Sequence, residues 1–164
     1  METLLKAGTE DLPRIVRRAW LLCRQGGCCV ALPAEQVLET MRPLPTDSVP
    51  EMPPFVLGLA VVRGTAVPAV DVGILLGKTG TRAGRWVTVS VGERCVALAV
   101  ESIEGVRSLP PNTLEAVPPL LRGAADTVVA AVRALDRELL LALEAGRLFS
   151  EDEWLAFAAP KREP

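Results

Sequence analysis

Large apolar side chains alternate with small or polar ones most clearly in WVTVSVGERCVALAV. Val87, Val89 and Val91 alternate with Thr88 and Ser90, and Val96, Leu98 and Val100 alternate with Ala97 and Ala99. A period of two is that of a half-buried strand. Gly92 suits the first central position of a type II′ two-residue turn. That turn sets Val89 against Val96 and Val87 against Leu98, so turn chemistry and pattern agree on one register. AWLLCRQGGCCVAL reads the same way about Gly26-Gly27, pairing Cys23 with Val30 and Leu21 with Leu32. VLGLAVVRGTAVPAVDV turns near Arg63-Gly64, and TVVAAVRALDRELLLAL near Asp136-Arg137. Pro68 has no N–H to give a ladder, so its strand is expected at a sheet edge or bulged there.

Helical spacing is confined to short segments. PAEQVLETM, from Pro33 to Met41, has a proline suited to a first helical turn and Val37, Leu38 and Met41 at helical intervals, which predicts a helix. DVGILLG predicts one helical turn stopped by Gly77. SEDEWLAFAA offers Ser150 as N-cap with Glu153 three residues on, a capping box. Proline-rich breaks at 42–54 and 109–119 divide the chain into three strand-rich blocks. About nine or ten short strands with this punctuation predict an all-β fold, a barrel or a pair of barrels.

Composition sharpens the picture. The 164 residues suffice for one domain, or for two small intertwined lobes sharing a core. With three Trp, three Phe and no Tyr, that core must be built mainly from Val, Leu and Ala. Net charge is -2 and no Lys/Arg cluster is dense enough to neutralise a row of phosphates, so nucleic acid is not an expected partner. No apolar run is long enough to span a bilayer, and METLLKAGTEDLPR lacks the pattern of a secretory signal. A cytoplasmic protein without direct membrane insertion is therefore expected. Cys23, Cys28, Cys29 and Cys95 form no CxxC, and Cys28 and Cys29 would face opposite sides of a strand. They read as reduced, buried small hydrophobes, with no metal and no cofactor expected. The chain has no histidine, which excludes His-based triads, His-ligated zinc and imidazole proton shuttles.

GILLGKT invites a nucleotide-binding reading. A phosphate loop needs four residues between its glycines, whereas three separate Gly73 from Gly77. It also needs a helix to start immediately afterwards, with its N-terminus at the anion. Here TGTRAGR follows, and its glycines oppose a helix start. GILLG is better read as a helical turn with a glycine stop.

Joined to what precedes it, the same segment carries a different pattern. PPFVLGLAVVRGTAVPAVDVGILLG resembles the signature stretch of the CheW family: a proline-rich approach, a glycine, R-G-x-x-x-P-x-x-D, then L-G. Gly58, Arg63, Gly64, Pro68, Asp71 and Gly77 fall at its positions. VALPAEQVLETM upstream, and VALAVESIEGVRSLP and AVRALDRELLLAL downstream, match further blocks in order and spacing. The resemblance covers residues 19–157, leaving 1–18 as an N-terminal extension and 158–164 as a tail. It implies two small five-stranded SH3-like β-barrels around a common hydrophobic core, with short helices including a C-terminal one. It implies a non-catalytic adaptor that couples a CheA-type histidine kinase, through its regulatory domain, to the cytoplasmic tip of methyl-accepting chemoreceptors. Such an adaptor is cytoplasmic and recruited to receptor arrays.

Carried over by position, Arg63 and Gly64 resemble the family's receptor-binding turn. Glu39 resembles the carboxylate paired with that arginine, and Val37 an apolar receptor contact. The kinase-binding residues are not assigned. This chain departs from the pattern at Val61, where the family commonly has Asn, and at Glu101 and Glu144, which replace Asp or Asn. Val61 keeps a second reading open: a CheW-like scaffold that binds only the kinase or another adaptor domain, without receptor contact. A phosphoryl-transfer enzyme built on GILLGKT is the third, and its loop spacing opposes it.

Overall fold

The computed structural model describes residues 18–77, 84–109, 129–135 and 138–158. Three of the four expected hairpins form with their turns in view. β1 (Arg18–Gln25) and β2 (Cys28–Pro33) pair with Cys23 opposite Val30 and Leu21 opposite Leu32. β4 (Val56–Val62) and β5 (Thr65–Asp71) meet across Arg63-Gly64. β6 (Arg85–Val91) and β7 (Arg94–Val100) set Val89 against Val96 and Val87 against Leu98. Gly92 has φ +62° while Glu93 is not among the left-handed residues, as a type II′ turn requires. β9 (Val129–Leu135) and β10 (Glu138–Leu143) pair from Leu135 opposite Glu138, and the turn itself, at Asp136-Arg137, lies outside the described residues. So do the N-terminal extension up to residue 17, the loop 78–83, the second proline-rich break beyond Leu109, and residues 159–164.

Two strands remain, β3 (Val37–Met41) and β8 (Ser102–Leu109), and they interlock the molecule. The first sheet runs β8-β1-β2-β10-β9 and the second β3-β6-β7-β5-β4. Each sheet therefore follows one plan: an edge strand, a hairpin, and a parallel junction to the second strand of another hairpin. The β1–β2 hairpin sends its next strand, β3, to the other sheet, and the β6–β7 hairpin sends β8 back. Glu101 sits at the second crossing, where its carboxylate accepts a hydrogen bond from the Gly26 N–H at 2.9 Å.

Apolar faces follow from this plan. Cys23, Val30 and Leu32 from one lobe meet Val70, Val87, Val89 and Leu98 from the other in a shared central core. Each lobe also encloses its own small core around a tryptophan: Trp20 with Leu22, Cys29 and Leu140, and Trp86 among alanines 60, 69, 97 and 99. Cys28 and Cys29 lie on opposite faces of a strand buried on both sides, and all four cysteines are free thiols. Burial pushes the Cys23 thiol up to about 12, with the neighbouring Cys29 and Glu104 adding to it, which makes it a poor nucleophile.

Helices are short, as expected. α1 (Val72–Leu75) is capped by Asp71, whose carboxylate accepts from the Ile74 N–H at 3.1 Å, and ends before Gly77, φ +78°. That helix lies before Gly77 and ends at the glycine stop that the sequence predicts. α2 (Glu151–Ala158) opens with the expected capping box: Ser150 Oγ accepts from the Glu153 N–H at 3.2 Å, and Glu153 Oε1 from the Ser150 N–H at 2.9 Å. Trp154 and Phe157 join Phe149 on the shared core, and Arg94 pairs with Glu151 while stacking over the Trp154 ring.

Two expectations are corrected. PAEQVLETM is not a helix: one 3₁₀ turn, Ala34–Gln36, leads directly into β3. Val37, Leu38 and Met41 satisfy helical spacing only because β3 carries an extra residue that shifts its alternation. Tertiary pairing with β6 decides the outcome. Pro68 is neither at a sheet edge nor itself bulged, since β5 lies between β4 and β7. It is accommodated because the parallel ladder to β7 begins only at Ala69, so no partner there needs the missing N–H.

Candidate functional site: a surface across the two edges of the second sheet

β3 and β4 are the opposite edge strands of the second sheet. Arg63, at the end of β4, reaches Glu39 on β3 with two hydrogen bonds, Nε to Oε1 at 3.0 Å and Nη2 to Oε2 at 2.8 Å. Met41 of β3 and Val62 of β4 pack on the same small core beneath. Side chains thus bring together two edges that the backbone ladder leaves apart, consistent with a barrel-like lobe.

Local features fix both partners. On β3, Val37 opposes Val89 and Glu39 opposes the adjacent Thr88, leaving Leu38 as the extra, bulged residue. The buried Thr88 hydroxyl accepts from the Glu39 N–H at 3.2 Å and donates to the Glu39 carbonyl at 3.3 Å, clamping the strand beside the bulge. On the other side, Arg63 and Gly64 have φ +49° and +81°, the left-handed pair of a type I′ turn. Asn or Gly would adopt the first position more easily, so an arginine there marks a place where the side chain matters more than backbone comfort. Gly58 anchors the β4 edge. Its φ is +139°, and a Cβ would stand 2.3 Å from the Asp47 carbonyl oxygen. The Asp47–Leu59 hydrogen-bond pair, 2.8 Å in each direction, covers that stretch of edge backbone.

The electrostatics follow the geometry. Hydrogen bonding and charge from Arg63 hold the Glu39 carboxyl below its ordinary value of 4.5, and Glu39 raises the guanidinium in return. The Cys95 thiol is pushed up by burial and then by the Glu39 charge. The Arg63 side chain is 80% exposed and that of Glu39 28%, so the pair is a surface feature whose value lies in orientation more than stability.

Of the four residues singled out from the sequence, Glu39, Arg63 and Gly64 come together here. Val37 does not join them on the outside. It is half-buried and packs on the shared core. Leu38, exposed at the bulge, was hidden by the helical reading of its segment; its signal was an apolar residue out of phase with Val37 and Met41.

The arrangement offers recognition chemistry rather than reaction chemistry: a fixed guanidinium, a carboxylate and exposed apolar side chains on the strands that the pair joins. Among the described residues, no group of three or more Cys, Asp or Glu could hold a metal ion. No helix there is long and apolar enough to cross a membrane. The profile of the CheW-like domain matches residues 19–153. The chain belongs to the CheW-like family. It is similar to a probable chemotaxis protein CheW of Rhizobium etli, 24% identical over 112 residues covering 66% of this chain and 72% of the relative. It is also similar to protein FrzA of Myxococcus xanthus, 28% identical over 116 residues covering 68% and 71%. In fold it matches the scaffolding protein TtCheW from Thermoanaerobacter tengcongensis with a TM-score of 0.68. That match has 18% identity and covers 78% of this chain and 89% of that one. As a member of this family it is a chemotaxis-type scaffold with two SH3-like β-lobes.

Proposed function

We propose that residues 19–157 form a non-catalytic adaptor coupling a CheA-type histidine kinase to methyl-accepting chemoreceptors, in the cytoplasm and recruited to receptor arrays. The observation that carries this is the bidentate Arg63–Glu39 pair on the Arg63-Gly64 turn. It holds an exposed guanidinium in one orientation at the position where the family resemblance puts the receptor. Val37, half-buried on the same strand as Glu39, is the apolar contact to the receptor that the resemblance gives. The kinase's regulatory domain, which the resemblance gives the same fold, meets another part of the molecule by lobe-to-lobe pairing. Modest individual affinities suffice, because an array multiplies the contacts.

Calorimetric titration against the regulatory domain of the CheA-type kinase of the same organism tests the coupling. Saturable binding at micromolar or tighter affinity supports it; no binding by the folded protein contradicts it. The second reading, a scaffold without receptor contact, draws on Val61, exposed where the family commonly has an amide. Arg63→Glu separates the two. It abolishes binding to the receptor tip in the first reading and has no such binding to abolish in the second.

A further inference from the structure

Two exposed apolar side chains stand on the strands that the ion pair joins, one on each and close to it in sequence. Leu38 is 58% exposed at the β3 bulge beside Glu39, and Val61 is 70% exposed on β4, two residues before Arg63. Neither is required by the fold at that exposure. A bulge aims a side chain outward and brings no apolar residue with it. The corresponding bulge on β8 carries Glu104, which is tied to Arg24 by a hydrogen bond of 2.8 Å. The apolar side chain exposed on that strand, Val106, stands beyond this pair, which joins adjacent strands and does not span to another edge. Arg63 spends only Nε and Nη2 on Glu39, and with its side chain 80% exposed the rest of the guanidinium faces solvent.

We propose that Leu38 and Val61 determine which receptor tip this chain accepts. They select a partner surface that presents apolar side chains on both sides of a carboxylate. The inference rests on the receptor reading above and deepens it. The carboxylate meets the open donors of Arg63, a charge-assisted contact. The apolar side chains cover Leu38 and Val61 and exclude water from that contact, which strengthens it. A partner with polar residues at the flanks would leave their hydrogen-bonding groups desolvated and unpaired, and is rejected for that reason.

The test uses the full chain and helical-hairpin tip fragments of the chemoreceptors encoded by the same organism. Wild type, Leu38→Gln, Val61→Asn, the double variant and Arg63→Glu are titrated calorimetrically at several temperatures. Titration with the kinase regulatory domain checks that each variant remains folded and competent. The expected result is about a tenfold loss of affinity for each apolar substitution and a larger loss for the double variant. The heat-capacity change on binding becomes less negative, because less apolar surface is buried. If Arg63→Glu abolishes binding while Leu38→Gln and Val61→Asn stay within about twofold of wild type, the specificity role is overturned and the receptor reading stands. If wild type binds no tip fragment while still binding the kinase domain, both are overturned.

Discussion

The two lobes are built to one plan and finished differently at their edges. Each takes its outer strand from the other lobe's hairpin, and each of those strands, β3 and β8, carries one extra residue. On β8 the extra residue is Glu104, bonded to Arg24 on the adjacent strand β1. On β3 it is Leu38, left exposed, and its neighbour Glu39 reaches past the ladder to the opposite edge. Both edge strands expose an apolar side chain, Val106 on β8 and Leu38 on β3. One edge settles its charge on the adjacent strand, while the other carries its charged pair across to the opposite edge of its sheet. The difference teaches that the fold is carried by the buried faces that both lobes share, while the proposed recognition surface needs only a few residues at one pair of edges.

The sharpest way to break the comparison is at two glycines with nearly the same backbone. Gly58 in the second sheet has φ +139° and Gly105 in the first has φ +133°. A Cβ at Gly105 meets nothing within 4 Å, whereas one at Gly58 meets the Asp47 carbonyl oxygen at 2.3 Å. Gly105→Ala is expected to lose about 1–3 kcal/mol from backbone strain alone. Gly58→Ala loses about 4 kcal/mol or more, because the backbone of the 45–49 loop must also move. Denaturant unfolding of both variants measures the gap, and equal losses would show that the loop does not anchor β4.

Thr88→Val removes the hydroxyl that clamps β3 at Glu39 while keeping the side-chain shape. Loss of both hydrogen bonds to the Glu39 backbone is expected to destabilise by about 1–3 kcal/mol. Amide exchange should accelerate at β3 and stay unchanged at β8.

Smaller in stability but aimed directly at the proposed receptor contact is Arg63→Gly. It relieves a left-handed arginine and removes a surface ion pair, so the unfolding midpoint should hold or rise. Binding to a receptor tip should nevertheless be lost. A variant that binds normally would separate the ion pair from recognition.

The gentlest probe is titration. Glu39 has its carboxyl depressed by Arg63, so the pair's contribution is present above the ordinary value of 4.5 and is lost as pH falls through the lower folded value. Cys95 shifts the other way from its ordinary 9.0, chiefly by burial and secondarily by Glu39. In Glu39→Gln, the pH midpoint for alkylation of Cys95 should fall relative to wild type and remain above 9.0, read by mass spectrometry of the modified peptide. An unchanged midpoint would mean that the charge is not felt there.

Much of this architecture was legible in the chain. Gly26-Gly27, Arg63-Gly64 and Gly92 mark hairpin turns whose registers agree with the apolar alternation around them, because turn geometry and side-chain period constrain each other. The Ser150 cap and the glycine stop at Gly77 were legible for the same local reason. The parallel junctions between β5 and β7 and between β2 and β10 were not, since alternation says which face is buried and nothing about the neighbour. The exchange of β3 and β8 between lobes was hidden likewise. At the site, Arg63, Glu39 and their pairing came from the family pattern, and only the placing of the pair across the two edges of one sheet is a tertiary fact. Leu38 was missed because one bulged residue makes a five-residue strand imitate a helical repeat.

The central claim is that this chain joins kinase to receptor, and co-sedimentation tests it most directly. Receptor-containing membranes are spun down with the CheA-type kinase of the same organism, in the presence of wild-type chain, of the Arg63→Glu variant, or of neither. Kinase should pellet with the membranes only when the wild-type chain is added, while Arg63→Glu still binds kinase in solution and recruits none. Kinase that pellets equally in all three, or remains in solution with wild type present, would contradict the adaptor account.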